Sequence, residues 1–278
     1  MSQTAQTITD TARDYYDSED ADNFYHAIWG GEDIHIGLYD DKTSIKEASH
    51  RTVLYMAERL KGLKPGARVL DIGSGYGGGA RVLAKKFGAH VTCLNLSGVE
   101  NERNRAMSKE QGLGDKIDVI DGSFDDIPCD DGEFDIVWSQ DAILHAADRT
   151  KVLDEVARVL KKGGEFIFTD PMQADDLVDA SALQPIYDRI HLSSLASIGF
   201  YRRELSQRGF REVGVDEFTD QLRNHYARVG RELATRRSEL EGKISSDYID
   251  RMLAGLKHWV DGADSGYLAW GVLHFEKA

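Results

Sequence analysis

A glycine-rich run, Val69–Gly79 (VLDIGSGYGGG), holds the residues of this 278-residue chain whose types and spacing most clearly suit ligand binding. It follows a short apolar segment typical of a buried strand and precedes a segment with helical spacing. Glycines at such a junction let the backbone turn sharply and let a ligand approach without a Cβ in the way. Gly73, Gly75 and Gly78 satisfy the GxGxxG pattern, which by itself indicates only a nucleotide-containing ligand.

Asp71 narrows the choice of ligand because it brings a negative charge to the end of the strand, two residues before the first glycine. A carboxylate there opposes the pyrophosphate of a dinucleotide but suits the ammonium group of S-adenosylmethionine. The alternative role for Asp71 is to cap nearby backbone amides. We therefore predict S-adenosylmethionine as the cofactor and keep a dinucleotide as the alternative.

Further candidates follow the second and third apolar runs. Asn95 occupies the position where a side chain often contacts the ribose, unless it caps the next helix, a role for which Ser97 is better placed. Ser123 and Phe124 can bond and pack against adenine, or form a plain turn with Phe124 in the core. The predicted cofactor residues are Asp71, Gly73, Ser74, Gly75, Gly77, Asn95, Leu96, Asp121, Ser123, Phe124 and Gln140.

The fourth apolar run leads into the segment Trp138–His145 (WSQDAILH). Gln140 is expected beside the sulfonium. His145 either faces the second reactant or caps and packs, and the sequence leaves both open. We take it as the candidate catalytic residue.

The elements that position these residues are predicted by alternating strand and helix patterns over residues 68–170, typical of βαβ units and a parallel sheet. Strands are expected at Arg68–Ile72, His90–Leu94, Ile117–Ile120, Phe134–Ser139 and Glu165–Thr169, with helices at Gly78–Phe87, Gly98–Gln111 and Arg149–Leu160. Residues 1–60 and Pro171–Arg208 have helical patterns, and Phe210–Phe218 and Tyr267–Phe275 are predicted strands flanking helices over Asp220–Val260. The predicted organisation is a helical N-terminal cap (1–60), a cofactor-binding α/β core (61–175), and a helical cap with the last strands (176–278).

Several of these segments carry a resemblance to the class I methyltransferases, whose seven-stranded sheet has an antiparallel last strand. They are Val69–Gly79, Asp121–Phe124, Phe134–His145 and Val159–Thr169. Within that class the chain resembles the sarcosine/dimethylglycine N-methyltransferases, which make glycine betaine as a compatible solute. This closer resemblance lies in Tyr15–Tyr39, Trp138–His145, Thr169–Met172 and Gln184–Tyr201 with His225 and Tyr226. Asn95 departs from the acidic residue usual for the class but accords with this subgroup and with phosphoethanolamine methyltransferases.

The resemblance implies methyl transfer from a sulfonium to the nitrogen of dimethylglycine, and of sarcosine before it. Such a displacement needs an unprotonated amine in line with the methyl group, so positioning and desolvation supply most of the acceleration. Dimethylglycine has no proton to lose once its nitrogen is neutral, so a base is optional. The sarcosine step releases a proton, which His145 or a water can accept.

A substrate of this kind calls for aromatic faces around its methylated nitrogen and a cation at its carboxylate. The aromatic candidates are Tyr15, Tyr16, Tyr25, Trp29, Tyr39, Tyr187, Tyr201, Tyr226 and Trp270, although each can instead hold a cap helix on the sheet. Arg189 and Arg202 are the candidate carboxylate ligands, assisted by His35 or His145. Pro171 and Met172 would form an apolar wall that suits N-methyl groups better than a bare amine. The predicted substrate residues are Tyr25, Trp29, Pro171, Met172, Arg189, Tyr201 and Tyr226.

Composition argues against other partners. The formal net charge of -14 repels nucleic acid and anionic membranes, and fits a salt-adapted host as well as an ordinary acidic protein. Cys93 and Cys129 have no neighbours at metal-ligand spacing, so no metal is predicted. Neither a secretory leader nor a membrane span is visible, which predicts a cytoplasmic protein; the sequence does not indicate its oligomeric state.

Two alternatives stay open. The substrate could be phosphoethanolamine, a quinol or a sterol-like lipid: a phosphorylated substrate needs a basic cluster, but the aromatic segments are interleaved with Asp and Glu. A lipid substrate needs an apolar entrance to the substrate site. The remoter alternative is a cofactor-binding sensor without catalysis, which would require an occluded substrate side.

Overall fold

The strands predicted from the alternating pattern form one mixed sheet in the computed structural model, which describes residues 17–189, 192 and 194–278. The strands are β1 (Arg68–Ile72), β2 (His90–Asn95), β3 (Ile117–Asp121), β4 (Phe134–Gln140), β5 (Leu160–Thr169), β6 (Met172–Gln173), β7 (Phe210–Glu217), β8 (Leu268–Ala269) and β9 (Gly271–Lys277). Seven of them form a sheet in the order β3-β2-β1-β4-β5-β9-β7. β1 to β5 are parallel, and β9 runs antiparallel to both β5 and β7. The expected class I fold is confirmed.

Helices cover both faces and the carboxyl edge of this sheet. They are α1 (Glu19–Trp29), α2 (Ile45–Ala57), α3 (Gly78–Phe87), α4 (Gly98–Glu110), α5 (Arg149–Val159), α6 (Gln184–Arg189), α7 (Ile198–Gln207), α8 (Thr219–Thr235), α9 (Arg237–Leu240) and α10 (Ser246–Asp264). Short 3-10 turns occur at Ile143–His145 and Ala180–Leu183.

Alternate residues of the central strands bury their side chains on opposite faces of the sheet. Leu70 and Phe168 lie in the cluster that contains side chains of α5 and α7. Val69 and Ile167 lie in the cluster on the other face, with side chains of α2 and α3. Each fully buried side chain of this size contributes about 1.5–3 kcal/mol. Cys93 is part of the second cluster, as a buried apolar residue.

Residues 30–44 depart from the helical pattern expected for the N-terminal part. We call this non-helical segment the strap. Gly30 and Gly31 adopt φ values of 94° and 80°, which end α1 in a conformation that favours glycine. The hydroxyl groups of Ser49 and Thr52 on α2 then donate to the carbonyl oxygens of His35 and Ile36. Side chains of α2 thus take the place of helical hydrogen bonds in the strap.

Two further segments also differ from the expected elements. The stretch after Pro171 is not uniformly helical, because β6 pairs with β8. The last expected strand is broken at Trp270, whose backbone leaves the ladder: its N–H donates to the Thr219 hydroxyl and its carbonyl accepts from the N–H of Phe218. The break turns the Trp270 side chain toward the carboxyl edge of the parallel strands, where it meets Asp141.

Candidate active site

A cavity lies where β1 to β4 end, at the carboxyl edge of the sheet, and we call it the nucleoside cavity. Ile34 of the strap, Asp141 and His145 also line it. Seven of the eleven predicted cofactor residues form its wall: Gly73, Gly75, Asn95, Leu96, Ser123, Phe124 and Gln140. The turn residues and strand ends identified in the sequence are thus brought together as expected.

The glycine turn is shaped by conformation and by crowding. Gly73 and Gly75 have φ values of 75° and 49°, in the left-handed region. A Cβ at Gly73 would overlap that of Ala142, and one at Gly75 would lie 3.0 Å from Ile34 Cδ1. The glycines therefore allow the strap and the segment after β4 to close on the turn.

The predicted residues that do not line the cavity have other partners. Asp121 is largely exposed, and its carboxylate accepts from Asn101 and Arg105, so it lies outside the cavity wall. Gly77 is the N-cap residue of α3. Asp71 is buried at the end of β1, Ser74 is half-buried within the turn itself, and neither lines the cavity.

A buried acid beside Asn95 was missed by the sequence reasoning. The Asn95 amide donates to Glu100 at 2.8 Å, and both residues line the nucleoside cavity. Burial raises the pKa of Glu100 to about 7. The pair offers an amide oxygen and a carboxylate at the position where an acidic residue usually meets the ribose. The acidic residue thus lies in the first turn of α4 instead of at the end of β2, and a search for acids at strand ends does not find it.

The amide of Gln140 supports a ligand at this site. Its Oε1 accepts from the Trp138 indole at 3.0 Å, which turns its Nε2 away. Among the described residues that buried Nε2 has no hydrogen-bond partner. Buried donors are rarely left unpaired in folded proteins, so a bound ligand is the natural acceptor.

A second cavity adjoins the first and shares Ile34, Asp141 and His145 with it. We call it the aromatic cavity because four aromatic side chains line it: Tyr25, Trp29, Tyr226 and Trp259. Of the predicted substrate residues, Tyr25, Trp29, Pro171, Arg189 and Tyr226 form its wall, together with His35, Met252 and Leu256. Trp259, Met252 and Leu256 come from α10, which carried no motif in the sequence.

The other substrate candidates lie elsewhere. Met172 is fully buried in the sheet core, and the Tyr201 hydroxyl donates to Asp170 at 2.7 Å, so neither reaches the cavity. Arg202 pairs with Glu212 on the surface. The remaining aromatic candidates do not line the cavity and have polar partners: Tyr39 with His225, Tyr187 with Gln173, and Trp270 with Asp141, which itself lines the cavity. Tyr15 and Tyr16 lie outside the described residues.

The titratable groups where the two cavities meet are strongly perturbed. Burial, aided by the charges of Arg149 and Arg189, lowers the pKa of His145 to about 4, so its imidazole is neutral at physiological pH. Burial raises the pKa of Asp141. Burial opposes the charged form of His35, but Asp33 and Asp141 outweigh it and raise the pKa of its imidazole. The junction therefore holds a neutral imidazole at His145, and near it a carboxyl and a second imidazole whose pKa values are both raised.

Asp141 ties the strap to the sheet. Its carboxylate accepts from the backbone N–H of Ile36 at 2.7 Å and from the Trp270 indole at 2.8 Å. Its φ of 51° is unusual for a residue with a Cβ and costs about 1–3 kcal/mol. These contacts hold the strained residue in place at the junction of the cavities.

Asp71 gives a pH-dependent prediction. Burial raises the pKa of its carboxyl to about 7, so the unliganded protein keeps a proton that the unfolded chain has lost above pH 4. The stability contributed by this protonated group is therefore lost as the pH rises from about 4 to 7, by about 1.4 kcal/mol per pH unit. The free energy of unfolding can be measured with urea for the unliganded wild type and for Asp71→Asn. The free energy of the variant should rise relative to that of the wild type from about pH 4 to 7, and the difference should stay constant above pH 7. A difference that does not vary with pH would contradict the assignment.

Two features are absent from the part of the chain that the structure describes. No helix there is long and apolar enough to cross a membrane. The same residues form no group of three or more His, Cys, Asp or Glu side chains arranged to hold a metal ion.

The chain is similar in sequence and in structure to known proteins. The model of a methyltransferase domain matches residues 70–168. A sarcosine/dimethylglycine N-methyltransferase from Halorhodospira halochloris is 56% identical over 269 residues, 96% of each chain. One from Aphanothece halophytica is 51% identical over 98% of this chain and 99% of the relative. The crystal structure of a candidate sarcosine dimethylglycine methyltransferase from Galdieria sulphuraria superposes with a TM-score of 0.90, at 44% identity over 95% of this chain and 99% of that chain.

Proposed function

The chain belongs to the sarcosine/dimethylglycine N-methyltransferases, and we propose that it methylates sarcosine and dimethylglycine to glycine betaine with S-adenosylmethionine as the methyl donor. The observation that carries the proposal is the junction of two unlike cavities. The nucleoside cavity adjoins, at Ile34, Asp141 and His145, a cavity lined by four aromatic rings and Arg189. A sulfonium held in the first cavity would meet an amine held in the second.

The residues of the nucleoside cavity fit the proposed cofactor. Asn95 and Glu100 line the cavity and would bond the ribose hydroxyls, and Ser123 and Phe124 of the same wall would contact the adenine. Gln140 presents an unpaired amide donor. When bound, S-adenosylmethionine supplies a methyl group made electrophilic by its positive sulfur.

The aromatic cavity fits the proposed substrate. Aromatic faces attract a methylated ammonium without requiring a hydrogen bond, and they favour the positive charge that develops on nitrogen in the transition state. Arg189 is the one Lys or Arg side chain among the described residues of this wall. One carbon separates the amine of dimethylglycine from its carboxylate, so the carboxylate ligand must share the cavity with the rings.

The reaction joins the nitrogen lone pair to the methyl carbon while the carbon–sulfur bond breaks and its electrons stay on sulfur. Dimethylglycine yields betaine with no further proton to lose, whereas sarcosine releases one. His145 lines both cavities and is neutral, so it can accept a hydrogen bond from the secondary amine of sarcosine. With a pKa of about 4 it passes such a proton on to solvent rather than keeping it.

The proposal also assigns the cofactor and the substrate to different parts of the chain. Residues 61–175 hold the cofactor, and residues 1–60 and 176–278 supply most of the substrate wall. The net charge of -14 supports action on a small amine rather than on nucleic acid or a membrane, and the proposed location is the cytoplasm.

A radiolabelled methyl-donor assay with glycine, sarcosine, dimethylglycine and phosphoethanolamine tests this function. We expect transfer to dimethylglycine and sarcosine, with glycine at least about ten-fold slower, because the apolar Pro171 and the rings favour N-methyl groups over a bare amine. Equal rates on glycine and dimethylglycine would contradict the preference. Transfer to none of the amino acids would contradict the function.

A further inference from the structure

An outer cavity adjoins the aromatic cavity, between the start of α1, helix α6 and helix α10. The two cavities share Arg189 and Met252. These side chains touch each other, with Arg189 Nη2 2.9 Å from Met252 Sδ. Arg189 and Met252 therefore form a partition between the aromatic cavity and a larger space that opens to solvent.

Gly255 is the feature of α10 that allows this arrangement. A Cβ at this position would overlap Cδ and Nε of Arg189 and lie 2.8 Å from its Cζ. The glycine is not required by its own backbone, because its φ is not positive and it lies inside a helix of 19 residues. Glycine disfavours a helix interior relative to alanine. A helix-weakening residue thus stands at the point where the arginine crosses the helix.

The charges of the outer cavity suit a molecule that carries both signs. Glu19, Asp20 and Asp188 bring carboxylates to the wall, of which Asp20 already accepts from Ser245, while Arg251 joins Arg189 as a cation. A zwitterionic amino acid meets partners for both of its ends there, whereas a simple cation or anion meets one attractive and one repulsive set. The charge of Arg189 also reaches His145, on the reacting side of the aromatic cavity.

We propose that Gly255 is a positioning residue for substrate recognition: it keeps Arg189 in the partition, where the guanidinium receives the carboxylate of a methylated amino acid arriving through the outer cavity. This inference rests on the proposed function and deepens it. Arginine presents a planar fork of donors that matches a carboxylate, so a displaced side chain loses the fit as well as the charge.

Gly255→Ala tests the proposal, with Gly230→Ala as the matched control. Gly230 lies in α8 facing α10, and a Cβ there would make only ordinary contacts, at 3.9 Å from Leu256. In Gly255→Ala we expect KM for dimethylglycine to rise about ten-fold or more, with kcat within about three-fold. The melting temperature should not fall, because the flexible arginine gives way while the helix gains alanine. Gly230→Ala should leave KM and kcat unchanged.

Two inhibitors separate the carboxylate contact from the aromatic contacts. Inhibition by glycine betaine should weaken about ten-fold in Gly255→Ala, whereas inhibition by tetramethylammonium, which has no carboxylate, should stay within two-fold. If Gly255 acts through Arg189, adding Gly255→Ala to Arg189→Met should not raise KM further.

Each contrary result has a definite meaning. Four results would each overturn the inference. They are an unchanged KM in Gly255→Ala, an equal loss of inhibition by both inhibitors, additive effects on KM in the double variant, and a Gly255→Ala protein that does not fold. A wild-type enzyme that does not methylate dimethylglycine would overturn the proposed function instead. The two failures are therefore distinguishable.

Discussion

Replacing Asp141 by alanine is expected to lower kcat/KM for dimethylglycine by about 100-fold or more. The change removes the acceptor for two buried donors, the N–H of Ile36 and the indole of Trp270. Each buried donor left unpaired costs about 1–3 kcal/mol, and both costs fall on the contact that holds the strap over the cavities. Steady-state kinetics with both substrates gives the change, and hydrogen exchange over residues 30–44 should show faster exchange in the strap.

Two further substitutions at this position separate the acceptor from the strained backbone. Asp141→Gly relieves the positive φ but still lacks the acceptor, so it should be as impaired as the alanine variant. Asp141→Asn keeps one acceptor oxygen and should lie between alanine and wild type. Asp118→Ala, at an exposed position of β3, is the control and should match wild type. An Asp141→Ala enzyme within three-fold of wild type would show that the strap is held by other contacts.

Replacing Arg189 by methionine is expected to raise KM for dimethylglycine about 30- to 100-fold with kcat changed little. Methionine keeps an unbranched apolar stem, so the substitution removes mainly the guanidinium. A hydrogen bond between charged groups contributes about 1.5–3 kcal/mol, and a loss near the upper end of that range gives this change in KM. Because the contact is made before and during methyl transfer alike, its loss appears in binding rather than in turnover.

Arg202→Met is the matched control for that experiment. Both arginines were candidates in the sequence, but Arg202 pairs with Glu212 on the surface, where an ion pair contributes little. Its KM should stay within two-fold of wild type. A rise in KM for Arg202→Met, or none for Arg189→Met, would place the carboxylate elsewhere.

The central sheet could be predicted from the sequence because its signals are local. β1 begins and ends where its apolar run predicts, and α3 spans the expected residues. The strap could not be predicted in this way. Its conformation depends on hydrogen bonds that the hydroxyl groups of Ser49 and Thr52 on α2 donate to its carbonyl groups. Helical periodicity in the sequence carries no signal for such contacts.

The wall of the nucleoside cavity was more predictable than that of the aromatic cavity for a geometric reason. The residues predicted for the cofactor follow strand ends, which parallel topology brings to one edge. Pro171 and Met172 show the limit of that rule: they are adjacent, yet Pro171 lines the cavity while Met172 is fully buried in the core, because successive residues of an extended chain point to opposite sides. Tyr201 was likewise assigned by position, but its helix turns it into the core.

The residues missed altogether are of two kinds. Asp141 acts through neighbours distant in sequence, whereas Glu100, Met252 and Trp259 lie on helices without a motif. Trp259 and Tyr25, for instance, line one cavity although they are far apart in the chain. A buried acid or an aromatic residue on an amphipathic helix has the same local pattern whether it serves the core or a cavity.

The strand order also has a consequence for how the chain acquires its shape during synthesis. β7 pairs only with β9 in the sheet, and β9 lies between β5 and β7. Until residues 271–277 leave the ribosome, β5 and β7 both present open edges, and the intervening helices have no completed sheet to rest against. Trp270 directly precedes β9, so the contact with Asp141 forms late as well. The nascent chain would therefore complete its sheet and the junction of the two cavities in the same step.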